Sequence, residues 1–234
     1  MGQIATQYPI APIYPTVNNP YLDEVRDKVL HASPDIEYGT MDDLFACQNM
    51  RDPMVQHYAW AIPCQQAIET IAHHSPNGVV EIGAGNGYWA SLIVQMVPII
   101  CYDKKPYNHY SRYAKKQELD SAAKDVTPKW YNILTGGPED AANHADWTLF
   151  LCWPTYNTSF AFECLDHYQQ AGGQKLIYVG EGSWGCTGGG DFHERLEDDW
   201  ELIEEITIPR WPGLNDQMWI YQRSQAKLLV ENNA

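Results

Sequence analysis

Apolar residues in this chain fall into short blocks whose spacing alternates between two kinds. Continuous apolar runs of strand length end at Val79-Val80, Pro98–Asp103, Trp130–Thr135, Asp146–Cys152 and Leu176–Gly180. Between and before them lie stretches with helical spacing. Tyr21, Leu22, Val25, Val29 and Leu30 share one face of a helix that Asn19-Pro20 would cap and open, running to about His31. Thr40-x-x-Asp43 resembles a capping box for a second helix carrying Met41, Leu44 and Phe45, and Asp52-Pro53 is expected to start a third. Pro63 is expected to open a helix with Ala67, Ile68 and Ile71 on its apolar face. Ser159 to Ala171 reads as helix, and Asp191-x-x-Glu194 as the capping box of another that ends near Trp200. Leu202–Ile208 and Met218–Gln222 then read as two strands joined by the loop from Pro209 to Gln217. Strands alternating with helices predict an α/β fold with a mostly parallel sheet. Residues 1 to 60 precede it as an extended Pro- and Tyr-rich arm and a helical cap, residues 61 to 226 carry the sheet, and residues 227 to 234 form a tail. The cap is expected to cover the ligand face of the sheet as a lid. A contact between two copies in a homodimer is the second expectation.

The most informative stretch follows Val79-Val80. Glu81-Ile82-Gly83-Ala84-Gly85-Asn86-Gly87 turns the chain, and Tyr88-Trp89-Ala90 begins a helix. Glycines in alternate positions allow positive φ and let a ligand approach the backbone closely, with free N–H groups at the helix start behind them. A dinucleotide fingerprint, G-x-G-x-x-G, would need its third glycine at Tyr88. The spacing present is E-x-G-x-G-x-G. Asp103 closes the next strand, where an acid can accept both ribose hydroxyls of an adenosine.

These residues resemble motif I of the class I S-adenosylmethionine (SAM)-dependent methyltransferases. From about Tyr58 to Arg223 the chain is similar to one branch of that superfamily, through Tyr58-Ala-Trp60-Ala-Ile-Pro63, Glu81 to Ala90, Leu151-Cys-Trp-Pro154, Gly185-Cys-Thr-Gly188, Phe192-His193 and Ile208-Pro-Arg-Trp-Pro-Gly213. The resemblance implies a Rossmann-like, seven-stranded, mostly parallel sheet with an antiparallel final strand, and SAM as cofactor. It implies that Glu81, Gly83, Gly85, Gly87 and Asp103 bind SAM, with adenine beside Gly136 and Gly137. Motif IV of amino-group methyltransferases, Asn/Asp-Pro-Pro-Tyr, stands here as Trp153-Pro154-Thr155-Tyr156, without the lead amide or acid. An aromatic pair remains where the sulfonium should sit, and an aromatic face attracts a cation by about 0.5–2 kcal/mol. Trp153, with Tyr58 and Trp60 from the cap, is therefore expected at the cofactor, while Tyr156, Asn157, Tyr178, Glu181 and Ser183 are the candidates for handling an amine or acceptor.

Two reactions fit. The first is methyl transfer to a small molecule. The second is cyclisation of SAM itself to azetidine-2-carboxylate with release of methylthioadenosine, as in azetidine-2-carboxylate synthases, which have a similar size and build. A non-catalytic SAM-binding module is a third reading.

Composition narrows the partner. A formal net charge of −15 argues against a nucleic-acid substrate, since phosphate binding rests on Lys and Arg. Nine tryptophans and fifteen tyrosines suit an aromatic-lined pocket. The six cysteines form no C-x-x-C pair and read as reduced core residues, and the eight histidines show no metal-binding spacing, so no metal is expected. Met1 to Pro20 lacks a basic segment followed by an apolar one, and no apolar run approaches a membrane span, so a cytoplasmic location is expected.

Overall fold

A computed structural model describes residues 15–26, 41–106 and 128–224, with no side-chain description for 41–48. Seven strands form a single sheet: β1 Val79–Ile82, β2 Ile99–Asp103, β3 Leu134–Thr135, β4 Thr148–Cys152, β5 Lys175–Gly180, β6 Trp200–Thr207 and β7 Gln217–Arg223. Their order is β3-β2-β1-β4-β5-β7-β6. β1 to β5 are parallel, while β7 inserts antiparallel between β5 and β6. This is the α/β, mostly parallel sheet that the sequence pattern predicts, in the Rossmann-like arrangement with a reversed final strand that the resemblance implies. The central strands are apolar because both faces are covered: all four residues of β1 are buried, and so are the first four of β4.

The helices are α1 Pro20–Val25, α2 Met41–His57, α3 Gln65–His74, α4 Tyr88–Ile93, α5 Phe160–Gln170 and α6 Gly190–Asp199. Asn19 caps α1 as expected, its side chain accepting from the Leu22 N–H at 3.2 Å. The expected extension of α1 to His31 and the capping box at Thr40 fall outside the described residues.

Three local expectations change. Pro53 opens no new helix but lies inside the continuous α2. A helix-interior proline forgoes one hydrogen bond, yet Met54, Val55 and Tyr58 beyond it are buried, and that burial holds the chain in helix. The capping residue of α6 is Gly189, with no side-chain cap bond, so the Asp191 capping box does not form because Asp191 already lies within the helix. The third strand shrinks to two residues, since Trp130 and Tyr131 turn away to pack against the core.

Tyr21, Leu22 and Val25 are buried in the same apolar cluster as Ile177, Val179 and Trp211. The Trp211 Nε1–H donates to the Tyr21 hydroxyl at 2.9 Å. Residue 60 lies in the connection between α2 and α3, and the core runs across it. Among the described residues, no helix is long and apolar enough to cross a membrane.

Candidate functional site

A cavity of about 370 Å³ opens at the C-terminal ends of β1, β2 and β4. The turn after β1 forms its floor. Gly83, Gly85 and Gly87 have φ of 84°, 60° and 82°, a left-handed series that side chains disfavour. A Cβ on Gly83 would come within 2.9 Å of the Phe160 ring, so glycine also provides room there.

Two carboxyl groups face this turn. Asp103 is fastened by backbone donors: the Gly85 N–H reaches Oδ2 at 2.9 Å and the Lys105 N–H reaches Oδ1 at 2.7 Å. Each carboxylate oxygen keeps a further lone pair for a ligand hydroxyl. Glu81 is 3% exposed, and burial lifts its pKa to about 8. The Cys101 thiol, 3.5 Å from Oε2, partly offsets that lift, and the Asp103 charge adds to it. Glu81 is thus a neutral acid near pH 7 that an arriving cation would ionise. Burial also pushes the Cys101 and Cys152 thiols up.

The opposite wall is aromatic. Trp60 and Trp153 stack with centroids 4.4 Å apart and planes 8° from parallel. The Arg51 guanidinium carbon lies 5.5 Å from the Trp60 ring centroid. The cap reaches the cavity because the His57 carbonyl accepts from Asn86 Nδ2 at 3.1 Å and from Trp130 Nε1 at 2.8 Å. Those bonds tie the end of α2 to the glycine turn and set Ala59 and Trp60 on the rim.

Of the residues singled out in the sequence, Trp60, Glu81, Gly83, Gly85, Asp103 and Trp153 line this one cavity. Gly87 stands behind the turn as the N-cap of α4. Tyr58 does not reach the cavity. It stacks on Tyr21 at 4.7 Å, and its hydroxyl donates to Glu24 at 3.0 Å. Gly136 and Gly137, expected beside the adenine, lie beyond β3 and outside the cavity lining, Gly137 leading into a 3-10 turn over Pro138–His144. Tyr156 is exposed, and Asn157 sits at φ 56° in the same turn. Tyr178 and Ser183 border a separate hollow beside α6 and β7. Burial pushes the Tyr178 hydroxyl up, and it donates to the Glu181 carbonyl at 2.7 Å.

Glu181 has neither oxygen free of the backbone. Oε1 accepts from the Asn215 N–H and Oε2 from the Cys186 N–H, each at 2.7 Å. Burial would raise its pKa, but the Cys186 thiol and these N–H groups outweigh that and hold it below the usual carboxylate value. Sequence reasoning missed Asn86, Thr155 and Phe160 at the cavity and Asp216 behind it. Asn86 and Thr155 lie inside stretches already marked as site loops, Phe160 opens α5 in the stretch read as helix, and Asp216 stands in the loop before β7, just past the Ile208–Gly213 landmark.

No family model matches the sequence, and no curated protein matches it. Solved structures with a similar fold include the 1,6-didemethyltoxoflavin-N1-methyltransferase of Burkholderia thailandensis, bound to 1,6-didemethyltoxoflavin and S-adenosylhomocysteine. It is 14% identical at a TM-score of 0.46, over 96% of this chain and 99% of that one. The magnesium protoporphyrin IX methyltransferase of Synechocystis PCC 6803, bound to SAM, is 15% identical at a TM-score of 0.41, over 88% and 96%. The precorrin-6y C5,15-methyltransferase of Geobacter metallireducens is 14% identical at 0.41, over 74% and 95%.

Proposed function

We propose that this cavity binds SAM and that the protein is a SAM-dependent methyltransferase acting on a small molecule. The observation that carries the reading is the pair of carboxyls at adjoining strand ends, Glu81 and Asp103, on either side of the glycine turn and facing a two-tryptophan wall. The donor chemistry fits the cofactor. Glu81 suits an ammonium group, the oxygens of Asp103 suit vicinal hydroxyls, the glycines leave room for close approach, and the Trp60–Trp153 wall suits a sulfonium. When bound, the cofactor supplies a carbon made electrophilic by cationic sulfur.

The chain's own residues then orient and enclose. Asp103, held by two N–H groups, fixes the position of the ligand it grips. Trp60 comes from the cap and Trp153 from the end of β4, so the wall joins two separate segments and helps exclude water. Among the described residues, the acceptor end is lined by Cys152, Trp153, Pro154 and Thr155 and carries no carboxylate or imidazole. That suits an acceptor that needs no strong base, or one that loses its proton to solvent. The net charge of −15 supports a small acceptor over a nucleic acid.

Two measurements test this. Asp103→Ala should weaken binding of S-adenosylhomocysteine by about 1–3 kcal/mol in calorimetry, the scale of a lost charge-assisted hydrogen bond. Unchanged affinity would remove Asp103 from the site. The purified protein is also incubated with SAM, with and without small-molecule extracts, and the nucleoside product is identified by mass spectrometry. Methyl transfer gives S-adenosylhomocysteine only when an acceptor is present. Rapid methylthioadenosine and a four-membered amino acid from SAM alone would replace methyl transfer with cyclisation.

A further inference from the structure

Trp153 is held in an unusual conformation. Its φ is 53°, in the left-handed region that bulky residues avoid. Such a residue persists only where its surroundings over-determine it, and such residues cluster at functional sites. Three restraints act on Trp153. Its backbone N–H donates to the Val179 carbonyl at 2.8 Å, which fixes the chain. Trp60 covers the ring. The indole Nε1–H donates to Asp216 Oδ1 at 2.8 Å, which fixes the direction in which the ring points.

Asp216 is an expensive residue to place there. It is fully buried, and its Oδ2 has no hydrogen-bond partner among the described residues. Burial lifts its pKa to about 7, the Trp153 bond opposes the lift, the Glu181 charge adds to it, and Arg210 and Arg51 oppose it. Burying a carboxyl with one oxygen unpaired carries a desolvation cost that an apolar side chain in the same place would not. Its neighbour Asn215 already pins that loop through Glu181. The loop therefore has its own anchor, and the bond to Trp153 is what remains for Asp216.

We propose that Asp216 is a positioning residue, acting through the Trp153 indole to set the angle and depth of the aromatic wall at the cavity. It contributes to ligand binding without touching the ligand. The binding arm of the test rests on the SAM reading above, while the optical arm does not.

Two tryptophans stacked at this distance couple their transitions and give a paired circular dichroism band. Subtracting the spectrum of Trp60→Phe from that of the parent isolates the band from the other tryptophans. It should be present in the wild type and in Asp216→Asn, which keeps an acceptor for the indole, and should lose more than half its amplitude in Asp216→Leu, which keeps the shape without one. S-adenosylhomocysteine affinity should stay within about twofold in Asp216→Asn and fall about tenfold in Asp216→Leu, where tenfold corresponds to about 1.4 kcal/mol. Trp153→Phe removes the same bond from the other end and should show a similar loss, to which Asp216→Leu adds little in the double variant. A full band in Asp216→Leu, or additive losses in the double variant, would overturn the proposal. If Asp216→Leu fails to fold, unchanged affinity in Trp153→Phe overturns it instead. A wild type that shows the band but binds no S-adenosylhomocysteine defeats the SAM reading and leaves the positioning role standing.

Discussion

Glu81 and Glu181 are a pair of buried glutamates near the same end of one sheet, and their environments drive them in opposite directions. Glu81 closes in on the turn after β1 at 3% exposure, and Glu181 follows β5 at 6%. Desolvation is the leading influence on both. At Glu81 only a weak thiol donor opposes it, so the pKa rises to about 8. At Glu181 two backbone N–H groups and the Cys186 thiol overcome it, so the pKa falls. A buried carboxylate whose lone pairs are met by the fold is a clamp. One whose acidity the fold has suppressed awaits a partner from outside. Residue type and burial alone do not separate the two; the donors around them do.

The comparison would break first at Glu181. Glu181→Ala leaves the N–H groups of Asn215 and Cys186 without their acceptor and frees two loops at once. The expected loss is about 3 kcal/mol of stability, from two bonds to a charged group at roughly 1.5 kcal/mol each. Chemical denaturation reads it as a lower midpoint at an unchanged slope. A loss under about 0.5 kcal/mol would show that the loops hold without the clamp.

The two groups should also shape opposite limbs of the stability–pH curve. Glu181 has a lowered folded pKa, so its stabilisation is present above its unfolded value of 4.5 and is lost as pH falls through the lower folded value. Glu81 is raised from 4.5 to about 8, so the folded state holds a proton that the unfolded chain has released. Its contribution is full below 4.5 and fades as pH rises toward 8. Asp216, raised from 3.8 to about 7, adds to the same limb. Glu81→Gln should match the wild type near pH 5 and be more stable at pH 8, by roughly 3–4 kcal/mol on the scale of about 1.4 kcal/mol per pKa unit. Thermal melts at both pH values decide it, and parallel curves would mean that Glu81 titrates normally.

Local patterning made the frame legible. β1, the glycine turn, α4 and β2 were readable because their signals are local: apolar runs, a turn that needs positive φ, an acid at a strand end. The roles of Glu181 and Asp216 were not readable, because each depends on a partner far along the chain. Glu181 binds Asn215 and Cys186, and Asp216 reaches back to Trp153. A lone acid after a strand reads the same whether its oxygens end in solvent, ligand or backbone. Tyr58 was placed at the ligand because it neighbours Trp60 in sequence. Beyond the end of α2 the side chains diverge, and Tyr58 enters the core while Trp60 meets the cavity. Pro53 misled for a related reason, since burial of the residues after it keeps α2 going.

The finest test of the comparison counts protons. With a pKa of about 8, Glu81 in the ligand-free protein is mostly protonated at pH 7. If the ammonium group of S-adenosylhomocysteine docks against it, the carboxyl must ionise to pair with that charge, since the gain in attraction outweighs the desolvation that kept it neutral. Binding should then release up to about 0.9 proton per site at pH 7, the protonated share for a group one unit above the pH. At pH 9 Glu81 is already ionised, so its share of the release should nearly vanish. Calorimetric titrations in two buffers of different ionisation enthalpy measure the number directly. Glu81→Gln provides the control, because a proton lost by the ligand's own amine would persist in that variant, whereas one lost by Glu81 would not. Glu181→Gln should leave the count unchanged, its proton being already gone at pH 7. Equal proton release by the wild type and Glu81→Gln would take Glu81 out of contact with the ligand and leave both glutamates as parts of the fold.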